Sequence, residues 1–180
     1  IQDMNDLSCE AWIAPQAIHI SLLKMKASTI KVGAQNCSNH DSGAFTGEIS
    51  PKSLKDLGAH FVIVGHSERR AIFNEGDTLL NEKVLKALES NLKVILCVGE
   101  TLEERESGEF KSTLKNQLLS GLKNISESKK ADILIAYEPV WAIGTGKVAS
   151  PTQAQEVHKF LREELESITA LDAQKTPILY

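Results

Sequence analysis

The chain reads as an α/β protein whose parallel strands are covered by helices. Three observations predict this. Short apolar runs alternate about six times with helix-like segments, the pattern of parallel strands joined by helical crossovers. The runs are apolar throughout, not alternating, so both faces of the sheet must be covered. Helix-start signals of the cap-then-proline or capping-box kind fall between them. An open doubly wound sheet and a closed barrel both satisfy this pattern.

The 180 residues, 42% of them hydrophobic, suffice for one sizeable core and are read as one domain over residues 1–180. A net charge of -4 and the lack of a basic run argue against nucleic acid or an anionic membrane as partner. No apolar run approaches the roughly 20 residues of a bilayer span, and residues 1–6 carry neither the charged nor the apolar region of a signal peptide. Cys9, Cys37 and Cys97 fit neither a disulfide framework nor a zinc site and read as free thiols in a reducing compartment, so a cytoplasmic location is expected.

In chain order, the first residues resemble the tail of a helix. Ala11 to Ala14 is a strand stopped by Pro15, and Ala17 to Ala27 is a helix with Ile18, Leu22 and Met25 as its apolar positions. The strand from Ile30 to Gln35 runs into a long polar loop, Asn36 to Glu48, of a length that is usually functional. Ser50 and Pro51 start a short helix that Gly58 can end. A third strand, Phe61 to Val64, leads into Gly65, His66 and Ser67. A helix starts at Asp77 with Leu80, Val84 and Leu88 on one face, and the fourth strand is Val94 to Val98. Thr101 and Glu104 form a capping-box pair before a longer helix with Phe110, Leu114, Leu118 and Leu122 inside. The fifth strand is Ala131 to Tyr137. Ser150, Pro151 and Gln153 open a helix showing Val157, Leu161 and Leu165, and Lys175 to Tyr180 opens a sixth strand.

Ligands of either architecture sit at the carboxyl ends of the strands. The polar residues there are Gln35, Asn36, His66, Ser67, Glu68, Glu100 and Glu138. Pro139 biases Glu138 towards an extended conformation and so aims its carboxylate. The loop beyond is apolar at Val140, Trp141 and Ile143, and it carries Gly144 and Gly146, where a backbone could approach a ligand. This pattern suits a base beneath a lid, or a structural glutamate before a packed turn. His66 precedes a helical turn, whose N–H groups and dipole favour the neutral imidazole; it can polarise a carbonyl or simply cap the turn. Together they supply a base and an electrophile, the minimum for moving a proton next to a carbonyl. No Gly-x-Gly-x-x-Gly follows any strand, and Gly144 to Lys147 lacks P-loop spacing. His19, His40, His60 and His158 match no ligand spacing, and Cys97 reads as a small buried side chain.

Five strings carry a resemblance. Val32-Gly33-Ala34-Gln35-Asn36, Gly43 to Glu48, Val64 to Arg70, Cys97-Val98-Gly99-Glu100 and Ala136 to Lys147 resemble the triosephosphate isomerase family, in family order and over almost the whole chain. The resemblance implies a (β/α)8 TIM barrel, here about six of eight strand–helix units. It implies interconversion of dihydroxyacetone phosphate and glyceraldehyde 3-phosphate, a step of glycolysis and gluconeogenesis. Carried over by position, it makes Glu138 the base, His66 the neutral electrophile and Glu68 a supporting carboxylate. Pro139, Val140, Trp141, Ala142, Ile143, Gly144, Thr145, Gly146 and Lys147 become a closing lid, with the Gly144 N–H on the substrate phosphate. Trp141 is either a lid anchor or a packing aromatic. Thr46 would reach into a neighbouring subunit of a homodimer. No metal or organic cofactor is implied.

The family's first-strand asparagine and lysine, and the serine and glycine pair of its phosphate cradle, have no counterpart among these residues. A non-catalytic fragment therefore stands beside the isomerase as an alternative. Another phosphate-binding barrel enzyme would call for a metal or a Schiff-base lysine, and neither stands at the relevant strand ends.

Overall fold

The computed structural model describes residues 9–26, 29–167 and 172–180. Among these residues six strands form one parallel sheet: β1 (Trp12–Ile13), β2 (Lys31–Ala34), β3 (Phe61–Val64), β4 (Lys93–Val98), β5 (Ile133–Tyr137) and β6 (Ile178–Leu179). Their spatial order is their sequence order. A doubly wound sheet reverses its strand order at a switch point; this one never does. The sheet is a partial (β/α)8 barrel, and the choice that periodicity left open is decided.

Among the described residues, seven α-helices connect the strands: α1 (Ile20–Lys26), α2 (Pro51–Asp56), α3 (Ser67–Ile72), α4 (Asp77–Glu89), α5 (Leu102–Glu106), α6 (Phe110–Gly121) and α7 (Pro151–Ser167). The start signals act as read. Ser50 accepts the Ser53 N–H at 3.1 Å ahead of Pro51. Thr101 and Glu104 close a reciprocal capping box, and Ser150 and Gln153 exchange hydrogen bonds of 2.9 and 3.2 Å before α7. Each satisfies backbone N–H groups that a helix start leaves without partners.

Two apolar layers follow from the period-2 alternation of the strands. Val32, Val62, Val64, Val94, Leu96, Ile133 and Ile135 face the helices and pack with Leu54, Leu80, Val84, Leu114, Leu118, Val157 and Leu161. Phe61, Ile95 and Leu134 face the other way, joined by Trp12, Ala14, Ile63 and Ala136. Trp12 and Phe61 bring their ring centroids to 4.8 Å. Gly33 is the small residue this inner layer needs, since a Cβ there would lie 2.5 Å from the Phe61 ring. The same parity that turns Leu134 and Ala136 inward turns Glu138 inward.

One expectation is corrected. The helix after Pro15 forms, with a 3-10 turn at Ala17–His19 before α1, but Ile18 and Met25 are 77% and 84% exposed and Leu22 is exposed as well. The buried positions are Ile20 and, in part, Ala17 and Leu23. This segment carries two apolar stripes, and periodicity alone does not say which one meets β2. The last strand is also shorter than expected, two residues within Lys175 to Tyr180. The helix tail expected over the first residues lies outside the described residues, as does Ala27.

Candidate active site

Strands β3 and β5 flank β4, and both end pointing polar groups into the concave side. His66, the residue before α3, lies beyond the end of β3, and Glu138 follows the last residue of β5. The His66 Nε2 stands 3.3 Å from the Glu138 Oε1. Nδ1 accepts the Glu68 N–H at 3.3 Å, which leaves the ring proton on Nε2, facing the carboxylate. The second carboxylate oxygen, Oε2, accepts the Ser67 N–H at 3.0 Å. The imidazole is therefore held in the tautomer that donates towards the concave side. His66 caps the turn and also meets the glutamate.

Glu138 has a further neighbour. Burial, reinforced by the Glu138 charge, pushes the Cys97 thiol well above the ordinary range. The backbone beside it is fixed by two bonds to β4 and its extension. Glu138 N–H donates to the Val98 carbonyl at 2.8 Å, and Val140 N–H to the Glu100 carbonyl at 3.1 Å.

Glu100 is fully buried. Its Oε1 accepts the Tyr137 hydroxyl at 3.0 Å, the Trp141 Nε1–H at 2.8 Å and the Arg105 guanidinium at 3.3 Å. Burial, with the Glu100 charge and its hydrogen bond, raises the Tyr137 hydroxyl well above its usual value, so it stays a donor. Trp141 thereby ties the start of the glycine-bearing segment to the barrel wall. A 3-10 turn covers Val140–Ala142, and Thr145 Oγ1 donates to the Trp141 carbonyl at 2.8 Å. Gly144 and Gly146 take positive φ of 69° and 76°, with open space on the side where a Cβ would point. Ile143 is exposed.

Beside His66 opens a groove of about 560 Å³, lined among others by Ala14, Gln35, Asn36, Glu68 and Arg69. The Glu68 carboxylate is largely exposed and stands 3.7 Å from His66 Nδ1. Gln35 does not project freely into this groove, because its Nε2 donates to the Ala14 carbonyl at 3.0 Å. Asn36 is tied to Lys83 at 3.0 Å. The loop over 36–48 is braced on α4 by Asn39–Glu82 and Asp41–Lys86 contacts of 2.8 and 3.4 Å, and it exposes Thr46. The stacked rings of His40 and Phe45, 3.7 Å apart, stiffen it further.

A carboxylate and an imidazole N–H facing one another at the carboxyl end of a barrel sheet, beside a glycine-bearing loop, form an arrangement suited to proton transfer next to a carbonyl. The family model for triosephosphate isomerase matches residues 1–180, the whole chain. The chain belongs to the triosephosphate isomerase family. Among curated relatives, triosephosphate isomerase of Chloroherpeton thalassium is 52% identical over 157 residues, covering 86% of this chain and 62% of that protein. That of Clostridium botulinum strain Loch Maree is 46% identical over 180 residues, covering 98% and 73%. That of Chlamydia trachomatis is 53% identical over 154 residues, covering 85% and 56%. The chain thus spans between 56% and 73% of the length of these relatives.

Membership of the triosephosphate isomerase family agrees with the motifs that brought His66 and Glu138 to notice. Sequence reasoning passed over Ser67 and Cys97 as partners of the glutamate. Ser67 acts through its backbone N–H, which every residue but proline has. The signal for Cys97 was present, since it shares the inward parity of Ile95 and lies on the strand between the two residues.

Proposed function

We propose that the chain carries triosephosphate isomerase chemistry, with dihydroxyacetone phosphate and glyceraldehyde 3-phosphate as its substrate pair. The observation that supports this most directly is the His66 Nε2 to Glu138 Oε1 approach of 3.3 Å with Nδ1 occupied as an acceptor. Glu138 takes the proton from the carbon next to the carbonyl, and the electron pair moves onto the carbonyl oxygen. His66, donating from Nε2, stabilises that developing charge and passes the proton between the two oxygens of the enediolate. Protonated Glu138 then returns its proton to the neighbouring carbon. Neither atoms nor electrons are gained or lost, so the reaction runs in both directions.

In this reading Pro139 to Lys147 closes over the substrate, the Gly144 N–H meets its phosphate, and exclusion of water limits loss of phosphate from the enediolate. Glu68 supports His66 from the rim of the groove. The exposed side chains of Phe45, Ile49, Ile72 and Phe73 support a homodimer, in which Thr46 of one subunit enters the groove beside His66 of the other. Residues 1–180 act as one domain of that assembly. The three unpaired thiols accord with a cytoplasmic protein.

The test is turnover of both triose phosphates by the 180-residue chain and by its Glu138→Gln variant. The isomerase reading expects turnover that the variant loses while still binding an unreactive phosphorylated analogue. Turnover unaffected by the variant removes Glu138 as the base. Absence of turnover in the parent chain favours the non-catalytic fragment.

A further inference from the structure

Gln117 lies on α6, in the helical layer and not at any strand end. Its side-chain amide holds both polar groups of one residue. Gly99 N–H donates to the Gln117 Oε1 at 2.9 Å, and Gln117 Nε2 donates to the Gly99 carbonyl at 3.1 Å. Gly99 lies just past the end of β4, and the amide stands in for the ladder bonds of a strand. The residues on either side carry the bonds to the site: Val98 accepts the Glu138 N–H, and Glu100 accepts the Val140 N–H. Gly99 is also in direct contact with Glu138, because a Cβ there would come within 1.8 Å of the Glu138 carbonyl oxygen.

We propose that Gln117 is a positioning residue for Glu138, acting through the backbone of Gly99. The proposal rests on the isomerase reading for its kinetic consequence but not for its geometry. A two-pronged clamp fixes both position and rotation of the Gly99 peptide groups. The glutamate backbone lies against that residue, and its carboxylate must meet His66 and the Ser67 N–H. Without the clamp, two part-buried backbone groups lose their partners and the peptide is free to rotate towards others. The loss is felt at Glu138 first.

The test uses the full chain and three variants. Gln117→Met keeps side-chain length and removes both bonds; Gln117→Glu keeps the acceptor and removes the donor. Leu118→Ala, on the same helix, destabilises the core without touching Gly99. Amide hydrogen exchange is read at Ser67, Glu138 and Val140, and at the β4 amides before Gly99. Gln117→Met is expected to lower protection at the first three by about tenfold and leave β4 as in the parent, with Gln117→Glu between them. Leu118→Ala lowers protection everywhere alike. Where turnover is measurable, Gln117→Met lowers kcat by roughly 100-fold with KM little changed. Parent-like protection at Ser67 and Glu138 in either Gln117 variant, or loss spread evenly over β4, overturns the proposal. Should the parent chain turn over neither triose phosphate, the isomerase reading falls, and the exchange pattern still decides the role of Gln117.

Discussion

The imidazole of His66 meets the carboxylate of Glu138 at 3.3 Å although the two residues follow strands that do not pair with each other. Strand β4 lies between them, and the curvature of the sheet turns both side chains into the same concavity. The contact is thus a product of barrel geometry. A flat sheet would leave the two about two strand spacings apart, near 10 Å.

Glu138→Asp withdraws the carboxylate by one methylene and so breaks its approach to His66 and to the Ser67 N–H. In a form with measurable turnover, kcat is expected to fall by roughly 100-fold while KM changes little. Steady-state kinetics in both directions checks this. A change in KM alone would show that Glu138 is not the base.

Gly99→Ala introduces a Cβ within 1.8 Å of the Glu138 carbonyl oxygen and 2.9 Å of its carbon. Both are backbone atoms and cannot swing aside as a side chain would. The strand end carrying Glu138 must move, at a cost of about 1–3 kcal/mol typical of overpacking. Urea unfolding is expected to show this loss together with a lower kcat. A variant with parent stability and parent kcat would show that the backbone tolerates the displacement.

Elements whose signal is local were legible in the sequence. Ser50, Thr101 and Ser150 mark helix starts because each hydrogen-bonds within its own first turn. The strands announced themselves by apolar runs, and Glu138 by its place after one. The buried face of α1 was not legible, since it depends on how that helix docks on β2. Ser67 and Gln117 were hidden for another reason. One acts through its backbone, and the other acts on a backbone, so the identity of the partner residue leaves no trace in composition or spacing. Glu100 was recognised as a strand-end carboxylate, but its burial and its three donors arise only when β5, α5 and the segment after Glu138 converge on it.

The three thiols are expected to separate sharply in reactivity. Cys9 is exposed, whereas Cys37 and Cys97 are buried. Burial, only partly offset by Lys83, pushes the Cys37 thiol up to about 12, and Cys97 is likewise raised. The thiolate is the reacting form. A chromogenic disulfide reagent at about pH 8 should therefore titrate one thiol rapidly in the native chain and all three after denaturation. Rapid reaction at Cys97 would mean that the wall behind Glu138 opens to solvent.

Glu75 provides a pH-dependent prediction away from the proposed chemistry. It is 5% exposed and accepts Arg69 Nε at 2.8 Å and Lys83 Nζ at 2.5 Å, and Lys83 extends the cluster to Asn36. Burial raises the Glu75 carboxyl, but the hydrogen bonds and charges of Arg69 and Lys83 outweigh it and hold it below its ordinary value of 4.5. A carboxyl depressed in the folded state stabilises the fold above its unfolded value. That contribution is lost as the pH falls through the lower folded value. Glu75→Gln leaves the Lys83 charge without its counter-ion and is expected to cost about 3 kcal/mol near neutral pH. The gap between parent and variant should then narrow as the pH falls below about 4.5, because the parent loses the same charge by protonation. Urea unfolding of both proteins at a series of pH values measures this gap, and a gap that stays constant into acid would show that the carboxyl's charge contributes nothing to stability.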